Sequence, residues 1–271
     1  MSTASVMPPG NGGPTAAAAA GGGGGGGGTS FTECRAVGIL DRPEHIGSLA
    51  NLLRSLCSSY CTHATHTVVF RMPLPAPPGA PPGGTSALLR LSRRLPGNGI
   101  LNPQGGGSRA QHPFLEDMPE RWEVRHEGPP LQGPALNTLP AAMKEVLDTA
   151  CFGSGTLEFW KTLGGKMEYE MYRDGNEYSI VFHGHEIKVV LASVCSLVEP
   201  HVLKDASSLK RVSNNLVVEA SLLVPEGRHY EGANLLGVFG GRLMPYVKLV
   251  RAEVPPGAVA AAAAAAGSRR K

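Results

Sequence analysis

The sequence contains no apolar run approaching the roughly 20 residues that a membrane-spanning helix needs. It also has little charge of either sign. The formal net charge is +3 over 271 residues, spread along the chain without the basic footprint of a nucleic-acid-binding domain. Neither a membrane contact nor direct nucleic-acid binding is therefore expected. No cation precedes Arg35, which argues against a secretory signal and an Arg-rich transit peptide. Cysteine is sparse: five residues at irregular spacing do not make a disulfide framework and suit a reducing, cytosolic or nuclear setting.

What is abundant is glycine and proline, 36 and 23 residues. They concentrate in residues 1–30, roughly 73–84, 96–113 and 254–271, which have too little apolar surface to offset the entropy of ordering. These tracts read as a disordered tail, two flexible insertions and an Ala-rich basic tail around one domain over 31–253.

Several chemical motifs fail on their context. The N-terminal Gly tract has no strand before it, no helix after it and no Lys-Ser/Thr end, so it is not a phosphate loop. Gly153-Ser154-Gly155 separates two expected helices rather than forming a nucleophile elbow between strand and helix. Cys57, Cys61, His63 and His66 are zinc-ligand types, but C-x₃-C-x-H-x₂-H leaves too little chain between the ligand pairs. Cys57 also belongs to an apolar helical face. No metal, cofactor or catalytic residue is assigned. Arg269-Arg270-Lys271 is a weak import or anion-contact signal.

The remaining sequence is rich in strand patterns. Arg35–Leu40, Thr65–Met72, Ser86–Leu95, Arg121–Glu127, Asn215–Val224 and Tyr246–Arg251 alternate or are β-branched. Ile46, Leu49, Leu53, Leu56, Cys57 and Tyr60 lie on one helical face, with Asp41 and Glu44 at capping-box spacing. Leu139, Met143, Val146, Leu147 and Ala150 form a helical stripe behind an expected Thr138 N-cap. A short helix carries Leu157, Trp160 and Leu163. Met167, Tyr169 and Met171 form the buried face of a strand that ends in an Asp174-Gly175 turn. Tyr178–Phe182 returns, and His183-Gly184-His185 turns into a long strand, Glu186–Val198. Leu235, Val238, Phe239 and Leu243 suggest a last helix, weakened by glycines. Strands joined by hairpins favour an antiparallel sheet, and about eight of them favour closure. The expected fold class is α+β, an antiparallel β-barrel of about eight strands with flanking helices.

Five segments carry a family resemblance. Gly38-Ile-Leu-Asp41 before a helix ending Leu53-Arg-Ser-Leu-Cys57 is similar to the opening of the Mediator complex subunit 18 family. Trp122-Glu-Val-Arg125 ahead of Leu157-Glu-Phe-Trp-Lys-Thr-Leu-Gly164 also resembles that family. So do the hairpin from Met167 to Val194, Leu216-Val-Val-Glu-Ala-Ser-Leu-Leu-Val-Pro225, and Leu243-Met-Pro-Tyr-Val-Lys-Leu249. The insertions and low-complexity ends depart from the family pattern. The resemblance implies a nuclear, non-enzymatic scaffold of the head module of the transcriptional coactivator Mediator. It implies a barrel that pairs with the related Mediator subunit 20, is tethered by a helix of Mediator subunit 8, and helps Mediator engage RNA polymerase II in transcription regulation.

The rival expectation is an enzyme, because the same barrel type resembles the tunnel of metal-dependent RNA 5′-triphosphatases. Such a tunnel needs carboxylates for a divalent cation and Lys/Arg for the triphosphate. Glu168 and Glu170 share a strand face, but the strands expected opposite are largely Val, Leu, Ile and Ala, with isolated Lys188 and Glu219. The barrel interior is therefore expected to be apolar and filled. Apolar residues left outside it, Val217, Leu223, Tyr246 and Leu249, are the candidate partner-binding residues.

Overall fold

A computed structural model describes residues 31–73, 86–95 and 120–252. The two tails, the insertion 96–113 and all but Pro73 of the insertion near 73–84 lie outside these residues.

In chain order the elements are β1 (Phe31–Leu40), α1 (Pro43–Leu56), β2 (Ser59–Pro73), β3 (Ser86–Arg94), β4 (Arg121–Pro130), α2 (Pro134–Asn137) and β5 (Ala142–Phe152). They continue with α3 (Thr156–Thr162), β6 (Lys166–Phe182), β7 (His185–Leu197), β8 (Leu209–Arg211), β9 (Leu216–Pro225), α4 (His229–Leu243) and β10 (Val250–Arg251). Eight strands close into an antiparallel barrel in the order β1-β5-β4-β3-β2-β6-β7-β9, with β9 pairing back onto β1 from Phe31↔Pro225 to Leu40↔Leu216. Closure removes the free edges of the ring. Two short strands extend it: β10 pairs β1 at Ala36 and Val37, and β8 pairs β7 at Cys195–Leu197, beyond the reach of β9. The antiparallel α+β barrel expected from the alternating segments is the observed fold.

Four local expectations are overturned. The stripe from Leu139 to Ala150 is not a helix; Ala142–Phe152 is a strand pairing β1 through Arg35↔Ala142 and β4 through Arg121↔Phe152. Both of its edges are hydrogen-bonded, and without it the ring would stay open, so closure overrides the local helical period. Thr138 follows the four-residue α2 at its C-terminal end, where its Oγ1 donates to the Ala135 carbonyl at 2.8 Å.

The Asp174-Gly175 turn is also absent. β6 runs unbroken for 17 residues, and Arg173–Asn176 pairs with β2 on one side and β7 on the other. Gly175 serves close strand approach, since a Cβ there would lie 2.0 Å from the Leu191 carbonyl oxygen. The tight turn comes at His183-Gly184, both at positive φ, as the His183-Gly184-His185 reading expects. Helix α1 starts at Pro43 behind Arg42, without a side-chain cap, so Asp41 and Glu44 do not form the anticipated capping box.

The side chains that cluster on helices lie outside the ring. Cys34, Ala36 and Leu40 of β1, Ile187 and Val189 of β7, and Val218, Ala220 and Leu222 of β9 pack with Leu49 and Leu53 of α1 and Leu236, Phe239 and Leu243 of α4. Val68, Phe70, Leu91, Trp122 and Val124 take Leu157 and Trp160 of α3. Ala64, Tyr172 and Cys195 are covered by Leu197, Leu203 and Leu209. Three apolar patches thus face outward, each under its own cover, and the opposite set of alternating residues faces the enclosed space.

Candidate functional site: the charged barrel interior

Cross-strand register carries the inward set around the whole ring. Glu33 opposes Lys144, Glu127 opposes Val146, and Arg90 opposes Arg125. Thr65 lies between Arg94 and Arg173, Glu177 opposes Val190, and Val190 opposes Glu219. The interior is therefore polar, against the expectation of an apolar, filled barrel. Alternation is legible in the sequence of β3, β4 and β9, but the apolar face lies outside the ring rather than inside it. Helices and loops cover the outer face, so that face carries the hydrophobic burial. Lys188 and Glu219, expected to be isolated, are two members of an interior ionic lattice.

The lattice consists of ion pairs between strands. Glu33 accepts from Arg125 Nη1 at 2.5 Å, and Arg125 also grips Asp148 through Nε and Nη2 at 2.7 and 2.8 Å. Glu127 accepts from Lys144 at 2.8 Å, and Arg90 Nη2 approaches its other oxygen to 2.5 Å without hydrogen-bond alignment. Glu177 accepts from Arg94 at 2.8 and 2.9 Å and from His63 Nδ1 at 3.0 Å, with Lys188 at 3.5 Å. Glu219 sits 3.3 Å from Arg173 Nη1 and 3.9 Å from Arg35 Nη1.

Electrostatics follows from this geometry. Burial pushes the Glu127 carboxyl up, but Arg90, Lys144 and Arg35 outweigh it and hold the group at about 2. Burial likewise opposes, and Arg173, Arg35 and Arg90 overcome, the charge on Glu219, also at about 2. Glu177 is lowered further; His63 and Arg94 overturn its burial. Three of the four deep carboxylates thus face at least two cations each, and the fourth, Glu33, is held by Arg125. Among interior side chains no more than a quarter exposed, Arg35, Arg90, Arg125, Lys144 and Arg173 outnumber Glu33, Glu127, Glu177 and Glu219 by one.

The arrangement does not assemble a carboxylate group for a divalent ion. Among the described residues, no three His, Cys, Asp or Glu side chains converge as metal ligands. Glu168 and Glu170 separate: Glu168 pairs with Arg71 at the surface, whereas Glu170 turns outward from the ring to His66 and His201. The Cys/His quartet disperses too. Cys57 Sγ donates to the Arg54 carbonyl, Cys61 is exposed, His63 faces inward and His66 outward.

The candidate partner residues fall in two places. Tyr246 and Leu249 both pack against the helix-covered outside of the ring. Tyr246 meets the His45 ring edge-on at 5.7 Å, and Leu249 joins Leu236, Gly237, Gly240 and Met244 around a cleft of about 180 Å³. Val217 and Leu223 lie on the inward-facing register of β9, Val217 half-buried and Leu223, 45% exposed, opposite Glu33. The structure does not bring the two pairs together.

No protein-family model and no curated protein sequence matches this chain. Solved structures do. One chain of the Schizosaccharomyces pombe Mediator head module superposes with a TM-score of 0.55 at 15% identity, over 82% of this chain and 100% of that one. The barrel is built like a Mediator head chain. Weaker likenesses are to the PH1819 protein of Pyrococcus horikoshii, with a TM-score of 0.44, 12% identity, and coverage of 82% and 94% of the two chains. The RNA triphosphatase domain of the mimivirus mRNA capping enzyme gives 0.38, 13% identity, and coverage of 79% and 89%. At these identities the likeness is one of fold.

Proposed function

We propose that the chain is a nuclear, non-enzymatic scaffold subunit of the Mediator head module. In this reading it pairs with the related barrel of Mediator subunit 20, receives a helix from Mediator subunit 8, and helps Mediator engage RNA polymerase II. The observation that carries the proposal is the ion pairing of the interior carboxylates. A catalytic tunnel would hold them free for a divalent cation, whereas here Glu127, Glu177 and Glu219 are each committed to two or more cations. The Mediator-like fold and the five family-like segments support the same reading.

The alternative, a metal-dependent RNA 5′-triphosphatase, has one observation in its favour: the enclosed face is charged. Affinity purification of the full chain with mass spectrometry separates the readings. Mediator head subunits in the eluate are the expected result. Phosphate release from triphosphate-ended RNA with Mg²⁺ or Mn²⁺, together with an eluate free of head subunits, would replace the scaffold by the enzyme.

A further inference from the structure

Glu170 is a buried carboxylate on the outer face of the ring, with its side chain 5% exposed. A charge withdrawn from water there is costly unless strong donors replace its hydration. Two residues supply them. His66 Nε2 donates at 2.6 Å, and His201 donates twice, from its backbone N–H at 3.0 Å and its ring Nδ1 at 3.1 Å. His66 belongs to the neighbouring strand β2, whereas His201 belongs to the segment after β7 and sits in the left-handed region at φ 65°. A residue with a Cβ keeps that conformation only where its surroundings impose it.

Residues 199–209 form a strap on the outside of the barrel. The Val198 N–H closes its base on the Ser208 carbonyl at 2.9 Å, and inside it Val202 N–H donates to Glu199 and Ser208 N–H to Asp205. The strap therefore carries its own turns. Its hold on the ring is thinner. None of residues 198–212 is fully buried, β8 adds three residue pairs to β7, and Leu203 and Leu209 supply apolar contacts with the ring. Beneath these leucines, Tyr172 and Cys195 have no exposed surface and Ala64 has 3%. Segments with few buried apolar contacts open locally at free energies well below that of global unfolding.

We propose that residues 199–209 are a strap that opens as a unit while the barrel stays closed, with the contact between Glu170 and His201 as its latch. Opening lifts Leu203 and Leu209 from Ala64, Tyr172 and Cys195. It also frees the edge of β7 at Leu197, which pairs Leu209 and lies beyond the last β9 pair, Ala192↔Val217. A closed ring otherwise withholds such an edge. The latch is a conformational device of the barrel itself and does not depend on the scaffold reading.

The test alkylates the thiols of the full chain with N-ethylmaleimide under native conditions. Peptide mass spectrometry reads each site, and each rate is divided by that of the same thiol in the urea-unfolded chain. Cys195 reports the strap, Cys34, packed with α4 in the main core, reports the barrel, and exposed Cys61 sets the fast limit. Cys195 reacts about tenfold or more faster than Cys34, because local opening is the cheaper route. His201→Ala removes the ring donor from the strap alone and raises the Cys195 rate by about fivefold, leaving Cys34 within about twofold. Glu170→Gln weakens every contact of the latch and raises the Cys195 rate by about tenfold; His201→Ala serves alone if that variant does not fold. Equal rates at Cys195 and Cys34 in the wild-type chain mean that the strap opens only with the barrel, and they overturn the proposal. An unchanged Cys195 rate in a folded His201→Ala chain overturns the latch.

Discussion

His66 Nε2 lies 2.6 Å from Glu170 Oε1, and a third side chain decides which of the two carries the proton. Arg93 Nε donates to His66 Nδ1 at 3.2 Å, so Nδ1 presents its lone pair and the Nε2–H donates to Glu170. Burial first, and Arg93 with it, lowers the His66 pKa below 6.5 against the pull of Glu170. Glu170 also accepts from the backbone N and ring Nδ1 of His201 at 3.0 and 3.1 Å, which ties the segment after β7 back to β2 and β6.

This arrangement predicts a pH dependence above the carboxylate range. The fold favours the neutral ring, so its contribution is full above the unfolded value near 6.5 and is lost as pH falls through it toward the lower folded value. Tm of the wild-type chain declines between pH 7.5 and 5.5, and His66→Gln flattens that part of the profile. An identical slope in the variant would assign the decline to other groups.

A second loss lies at lower pH. Glu127 and Glu219 fall from 4.5 to about 2 in the fold, so the stability they confer is present above 4.5 and disappears as pH falls toward 2. Glu127→Gln strips Arg90 and Lys144 of their shared counter-charge and costs about 3 kcal/mol at pH 7. Urea unfolding measures this, and the loss narrows on acidification as the wild-type carboxylate is itself neutralised.

Two glycines respond in opposite senses. Gly175→Ala drives a Cβ into the backbone of β7 and destabilises by about 3 kcal/mol, the upper range for overpacking. Gly47→Ala in α1 meets nothing within 4 Å and stabilises by about 0.5–1 kcal/mol through helix propensity and a less flexible unfolded chain. Denaturant midpoints of the two variants should bracket that of the parent.

Leu223 offers a partner test with little folding cost, because it is 45% exposed at its inward-facing position on β9. Leu223→Lys leaves Tm within about 2 °C of the parent and, in the scaffold reading, reduces recovery of the partner barrel. Tyr246→Lys removes the packing on His45 as well, so its effect on recovery is interpreted only beside its melt. Full recovery with a folded Leu223→Lys chain takes Leu223 out of the interface.

Much of the barrel was legible as alternation. Leu216 to Val224, Arg121 to Glu127 and Ser86 to Leu95 show a period of two that needs no partner to be recognised, and His183-Gly184 supplies the turn between β6 and β7. Met143, Val146 and Leu147 misled because their spacing also fits a helix; the hydrogen-bonding edges of β1 and β4 decide that segment from more than 100 residues away in one case and from across a loop in the other. Gly175 misled because a glycine after Asp serves a turn or a crowded strand crossing equally well, and only the approach of Leu191 distinguishes them.

Where a strand was recognised, the sequence by itself determined which side chains share a face: Arg121 with Glu123, Arg125 and Glu127, and Leu216 with Val218, Ala220 and Leu222, at a spacing of two. Tertiary structure alone decided which face is enclosed. α1, α3 and α4 shelter the apolar rows outside the ring, and closure then brings the charged rows of separate strands near enough to neutralise one another. Alternation is a local property of the backbone, whereas inside and outside exist only once a sheet has closed.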